Sequence, residues 1–168
     1  MPSPDPSATE TVVHALIQRR LTIALAESLT GGLLTAELTS VPGASAVVLG
    51  GAVVYATELK RTLLGVDAGL LAAEGPVHPE VARQLAVGVR DRLAVAGRPA
   101  DIGVATTGVA GPDPQGGRPV GTVYVGVASD AGARSVALAL TGDRDGIRRQ
   151  TVVEAVRALA DELGITGV

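Results

Sequence analysis

The sequence predicts a single α/β domain in which helices cover both faces of a mixed, mostly parallel β-sheet. Three observations carry that prediction. Short apolar runs of strand length alternate with segments whose apolar residues recur at helical spacing. Turn chemistry rich in Gly, Pro and Asp separates them. Late in the chain two strand-like runs flank Gly132, the signature of an antiparallel hairpin in an otherwise alternating order.

Residues 1–7 carry three prolines and read as a loose tail. Ser7 is placed to cap a helix running to Arg20, with Val12, Val13, Leu16 and Ile17 on its inner face. Thr22 to Ala26 is a short apolar run suited to a buried strand. The turn ESLTGG follows, then a helix from Leu33 to Thr39. Ala46 to Ala56 has strong β character, with a Gly pair at Gly50-Gly51. Short helices are predicted over Glu58 to Leu64 and Asp67 to Ala73. A longer one begins at Pro79 and runs to about Ala96, with Val81, Leu85, Val89 and Leu93 at helical spacing. Asp101 to Thr106 is a strand, and Gly108 to Pro119 is a Gly/Pro-rich loop. Gly121 to Ser129 and Ser135 to Leu140 form the hairpin, and Asp143 opens a last helix that stops at Gly164. No linker or repeat divides residues 8–168.

Composition narrows the chemistry. Of 168 residues 46% are apolar and 18% charged, which fits a folded domain with a real core. Phe and Trp are absent, Tyr55 and Tyr124 are the only aromatic residues of their class, and the net charge is −3. Neither a basic footprint nor a set of stacking platforms exists, so no nucleic-acid partner is expected. The absence of cysteine excludes disulfides, a thiol nucleophile and thiolate metal sites. The first ten residues lack the basic and apolar regions of a secretory signal. No apolar run is long enough for a membrane span, so a cytoplasmic protein without a membrane partner is expected.

Four stretches could carry chemistry. Thr30-Gly31-Gly32 sits between a strand and a helix, where backbone N–H groups can face an anion or an oxyanion; a tight turn needing positive φ would look the same. It is neither a dinucleotide fingerprint nor a P-loop. TTGVAGPDPQGG, Thr106 to Gly117, leaves the carboxyl end of a strand, the place where open α/β sheets bind ligands. In GDRDGIRRQ, Arg144 and Arg148 share one face of a helix start. Two arginines there suit a phosphate, unless they are a solvated face paired with Asp145. His14 and His78 have no serine or acid partner at a telling spacing.

The last stretch is Ser45 to Lys60, with Tyr55 between. A serine, a phenol and an amine flank a segment too apolar for a surface loop. A buried lysine has a lowered pKa and can act as base for a serine. The same pattern also suits a core strand with ordinary residues at its ends. As an active site it has a strict condition. Ten residues of strand span about 33 Å, so the chain must bend back near Gly50-Gly51 to bring Ser45 to Lys60.

Together the motifs resemble one family. They are AESLTGGLL (Ala26 to Leu34), the GAS, GG, VVY and K positions between Gly43 and Lys60, and LLGV (Leu63 to Val66). TTGVAGPDPQGGRPVGTVYVG (Thr106 to Gly126) and GDRDGIRRQ (Gly142 to Gln150) complete the set. The chain resembles the CinA C-terminal domain family over residues 8 to about 163, with a leucine at Leu29 where a cysteine is common. That family occurs alone or behind a larger N-terminal domain, and at this length the chain is expected to be the stand-alone form or an excised domain.

The resemblance implies hydrolysis of the carboxamide of nicotinamide mononucleotide to nicotinate mononucleotide and ammonia. It implies a serine amidase that uses no metal or cofactor. Carried over by position, Ser45 is the nucleophile, Lys60 the base and Tyr55 their hydrogen-bonding partner. Ser28, Thr30, Gly31 and Gly32 would line the substrate site, Thr106, Thr107 and Gly108 would border it, and Arg144 or Arg148 would hold the phosphate. A homo-oligomer is expected. Two other functions fit the same motifs: a non-catalytic nucleotide-binding module, and an amidohydrolase acting on another small carboxamide.

Overall fold

The structure is a computed structural model and describes residues 7–168; of the loose tail expected over 1–7, all but Ser7 lies outside the described residues. The element order is α1 (Ala8–Arg19), β1 (Ile23–Glu27), α2 (Leu33–Thr39), a 3-10 turn (Ala44–Ala46), β2 (Val48–Val53), α3 (Thr57–Thr62), α4 (Ala68–Glu74), α5 (Pro79–Arg92), β3 (Ile102–Gly108), β4 (Thr122–Ser129), β5 (Gly132–Ala139) and α6 (Arg144–Glu162). The predicted elements are all present, with ends shifted by a few residues. Their caps explain several boundaries. Ser7 and Glu10 form a reciprocal capping box at α1. Asp67 and Asp143 accept the N–H groups of Leu70 and Gly146 at the starts of α4 and α6.

One five-stranded sheet forms, in the order β2-β1-β3-β4-β5. β1 pairs in parallel with both β2 and β3, whereas β4 is antiparallel to β3 and to β5. Four strands therefore point one way and β4 alone the other, which makes the sheet mixed but mostly parallel. The chain leaves β1 for β2 through α2 on one face and reaches β3 through α5 on the other. The carboxyl ends of β2, β1 and β3 thus open together at a reversal of strand order, where α/β sheets bind ligands.

The two faces differ in side-chain size. Ile23, Leu25, Ile102, Val104, Val125 and Val127 point to the side covered by α1, α2 and α6. The alternate positions are small: Ala24, Ala26, Ala105 and Ala128 face α5, and Gly103 and Gly126 fall on the same side. A Cβ on Gly126 would lie 2.0 Å from the Ala82 carbonyl, and one on Gly103 2.0 Å from that of Ala86. α5 therefore rests its backbone directly on the sheet. Gly126→Ala is expected to destabilise the fold by about 3 kcal/mol, because no rotamer change relieves a clash with a main-chain carbonyl. Chemical denaturation checks this; a stability equal to wild type would mean that α5 can lift off the sheet freely.

Gly50 and Gly51 do not bend the chain. They pair in register with Ala24 and Leu25 inside a continuous β2, and the only irregularity is a bulge beside Ile23. Gly51 is small for another reason: a Cβ there would lie 2.0 Å from the Thr35 hydroxyl of α2.

Candidate active site

β1 is wholly buried and ends in a carboxylate, Glu27, followed by Ser28. The Glu27 carboxylate is fully enclosed and accepts from the N–H groups of Gly32 (3.0 Å), Leu34 (3.0 Å) and Thr35 (2.7 Å), and from the Thr35 hydroxyl (2.6 Å). The N-cap residue of α2, Gly32, has no side chain to do this. Glu27 supplies the acceptors that a helix start needs and ties the intervening turn to the strand. That role was not read from the sequence, although an acid ending an otherwise apolar strand just before TGG is a visible signal.

Ser28 lies at the floor of a cleft whose walls include Tyr55, Lys60, Pro76, Thr107 and Arg144. Lys60, on α3, is only 1% exposed. Its Nζ is 3.0 Å from Ser28 Oγ, 2.7 Å from the Val54 carbonyl and 3.4 Å from the Tyr55 carbonyl. Burial, with no charged partner to offset it, pushes the Lys60 amine down to about 8. The three contacts suit both protonation states. An ammonium donates to all three oxygens. A neutral amine donates to the two carbonyls and turns its lone pair to the Ser28 hydroxyl.

The back of the turn is a hydroxyl network. The Thr30 and Thr106 hydroxyls are hydrogen-bonded at 2.8 Å, and the Ser28 N–H reaches Thr106 Oγ1 at 3.4 Å. Both threonines are fully buried, so they support the turn and do not line the cleft. Thr107 and Gly108 do line it, and the Thr107 hydroxyl donates to the Pro76 carbonyl at 2.7 Å. Gly31 and Gly32 take positive φ of 58° and 103°, as the tight-turn reading requires, and neither borders the cleft. Leu29 borders the cleft while packing with Ala110, Val123 and Ile147. Its N–H meets no acceptor among the described residues.

Ser45 is elsewhere. It sits exposed in the 3-10 turn that precedes β2, whereas Tyr55 and Lys60 follow that strand. The six residues of β2 separate the two ends by about 20 Å. The bend that a Ser45–Lys60 pair requires is absent, because β2 is held straight by its ladder to β1. The hydroxyl that meets Lys60 belongs to Ser28.

Tyr55 also differs from its expected place. Its side chain is 60% exposed at the cleft mouth, and its phenol accepts from Arg144 Nη2 at 2.9 Å. Only its main-chain carbonyl faces Lys60. Arg144 also donates to the Gly111 carbonyl at 2.5 Å, which joins the mouth to the Gly/Pro-rich loop. Arg148, four residues on, does not border the cleft; it donates to the Leu29 and Thr30 carbonyls. Arg149 is the residue that pairs with Asp145. His78 caps α5 through Nδ1, which accepts the Glu80 N–H.

Fold and site together define a class of protein: an α/β domain whose sheet ends at a cleft floored by a buried serine–lysine contact. The chain belongs to the CinA C-terminal domain family, whose model matches residues 5–163. It is 52% identical over 152 residues to a CinA-like protein of Frankia casuarinae, covering 90% of this chain and 34% of that protein. It is 49% identical over 148 residues to a putative competence-damage inducible protein of a Geobacillus species, covering 88% and 34% respectively. The chain therefore spans about a third of the length of these curated relatives. Among solved structures, a CinA superfamily protein from Klebsiella pneumoniae superposes with a TM-score of 0.85 at 34% identity, covering 94% of this chain and 96% of that one. The competence/damage inducible protein CihA from Agrobacterium tumefaciens gives 0.82 at 33% identity, covering 96% and 99%. No helix among the described residues is long and apolar enough to cross a membrane.

Proposed function

We propose that the domain is a serine amidohydrolase that acts on the carboxamide of nicotinamide mononucleotide, with Ser28 as nucleophile and Lys60 as base. The observation that carries this reading is the 3.0 Å contact between a buried, uncompensated amine and a serine hydroxyl at the floor of a cleft. Ser28 Oγ attacks the carboxamide carbon as Lys60 Nζ takes its proton. The oxygen of the tetrahedral intermediate gains negative charge, and the unpaired Leu29 N–H is the nearest main-chain donor in sequence to the nucleophile. Lys60 then returns its proton to the departing nitrogen, and ammonia leaves. Water attacks the resulting ester with Lys60 again as base, which frees the carboxylate and restores Ser28.

Arg144 suits the phosphate. It stands at the mouth, some distance from the serine floor, and keeps donors beyond those used on Tyr55 and Gly111. Tyr55 holds its guanidinium in place. The cytoplasm is the compartment where such a substrate would be met.

The direct test is ammonia release from nicotinamide mononucleotide, its riboside and free nicotinamide, compared by kcat/KM. The mononucleotide is expected to be the best of the three. Binding without ammonia release would identify a nucleotide-binding module instead. A preference for the riboside or the free amide would point to a different carboxamide.

A further inference from the structure

The contacts of Arg148 are unusual for an arginine beside a candidate phosphate site. It is half-buried and does not border the cleft. Its Nε donates to the Leu29 carbonyl at 2.9 Å and its Nη2 to the Thr30 carbonyl at 3.2 Å. These are the two carbonyls that follow Ser28. In a trans peptide the N–H points opposite the C=O. Drawing the Leu29 carbonyl toward Arg148 therefore turns the Thr30 N–H away from it.

The same turn is held from its other end by Glu27, which grips the N–H groups of Gly32, Leu34 and Thr35. Carbonyls are thus fixed on one side and N–H groups on the other. Between the grips lies Gly31, at positive φ like Gly32 beside it, with its N–H donating to the Ser28 carbonyl at 3.1 Å. Arg148 packs closely there: its Nη2 would be 3.4 Å from a Cβ on Gly31. A flip of the Leu29–Thr30 peptide would break the Arg148 contact and shift Leu29, which borders the cleft beside Ser28. Two carbonyls side by side match the planar fork of an arginine, and charged donors make the stronger bonds.

We propose that Arg148 is a positioning residue. By holding the Leu29 and Thr30 carbonyls it fixes the backbone that follows Ser28, and so keeps the Ser28 hydroxyl against Lys60 and Leu29 at the cleft. This rests on the reading of Ser28 as nucleophile, and it removes Arg148 from the candidates for the phosphate.

The test compares Arg148→Ala and Arg148→Lys with Arg144→Ala, well below the melting point of each. Arg148→Ala is expected to lower kcat by on the order of 10²-fold, as a small misplacement of reacting groups does. KM should change little. Arg148→Lys should recover only part of the loss, since it keeps the charge without the fork. The ratio of kcat/KM for the mononucleotide over its riboside should stay at the wild-type value in both Arg148 variants and collapse in Arg144→Ala. A rise in KM with kcat intact, and a collapsed ratio in Arg148→Ala, would make Arg148 a phosphate ligand. A lower Tm with wild-type kcat would reduce it to a structural contact. Either overturns the proposal.

A second readout does not need the natural substrate. The rate at which a fluorophosphonate labels Ser28, followed by mass, reports the nucleophile and its oxyanion donors directly. Wild type should label at Ser28, and Arg148→Ala at least about tenfold more slowly. Equal rates would overturn the positioning role and leave the nucleophile assignment standing. A wild type that neither labels at Ser28 nor releases ammonia would sink the reading of the site and Arg148's role with it.

Discussion

Ser28→Ala is expected to lower kcat for ammonia release by on the order of 10³-fold or more, as loss of a nucleophile does, while Ser45→Ala turns over like wild type. The asymmetry follows from position. Ser28 Oγ has Lys60 Nζ at 3.0 Å as its side-chain partner and lies at the floor of the cleft. Ser45 is exposed in a 3-10 turn before β2, at the other end of the sheet. Removing the Ser28 hydroxyl takes away one oxygen and leaves Lys60 Nζ its two carbonyl partners, so the fold should keep its Tm. Loss of turnover with Tm intact separates a chemical role from a structural one. An inactive Ser45→Ala beside an active Ser28→Ala would reverse the assignment.

Lys60→Met should abolish turnover to a similar degree, and Lys60→Arg should not rescue it, because a guanidinium stays protonated and cannot accept the serine proton. In the wild type the working form is the neutral amine. Burial lowers the Lys60 pKa to about 8, so kcat/KM should rise tenfold per pH unit below that value and level off above it. The same shift has a consequence for stability. The folded state releases this proton near pH 8, whereas an unfolded lysine holds it to about 10.4. Between those values the unfolded state carries more protons, so stability due to Lys60 rises with pH and is complete above the unfolded pKa. Thermal melts from neutral pH to about 10.5 should show that rise in wild type and not in Lys60→Met. A flat kcat/KM profile from acid to pH 9 would rule out Lys60 as base.

Much of the fold was legible because its signals are local. The apolar runs, the caps at Ser7, Asp67 and Asp143, Pro79 at a helix start and the Gly132 turn each act over a few residues. The site was legible in part. ESLTGG could be placed at a strand end, and the sequence marked Lys60 as a base to be buried. What failed was the pairing. Ser45 and Lys60 lie fifteen positions apart in the chain, and the eye joins them across Gly50-Gly51. Ser28 and Lys60 are 32 apart and meet because β1 and β2 lie side by side and end at the same edge. Strand order is a property of the whole sheet, and periodicity within one strand does not contain it. The glycine pair misled for a related reason: Gly51 answers to Thr35 on another element. Arg148 repeats the lesson over a longer distance. Its spacing from Arg144 suggested an anion, but its partners are carbonyls 118 and 119 residues upstream.

The glycine face beneath α5 bears on how this domain can change. Side chains on the α1, α2 and α6 side can exchange volume with one another and repack. Where Ala82 and Ala86 meet Gly126 and Gly103 there is nothing to exchange, since main chain touches main chain. α5 therefore cannot slide or tilt to absorb a neighbour's substitution. Pro76 and Val77, which line the cleft just before α5 begins, inherit that fixity. Variation in what the cleft admits should accordingly concentrate on Asp113 and Gln115, the exposed lining residues of the Gly/Pro-rich loop, while the Pro76 wall serves as the ruler against which any substrate is measured.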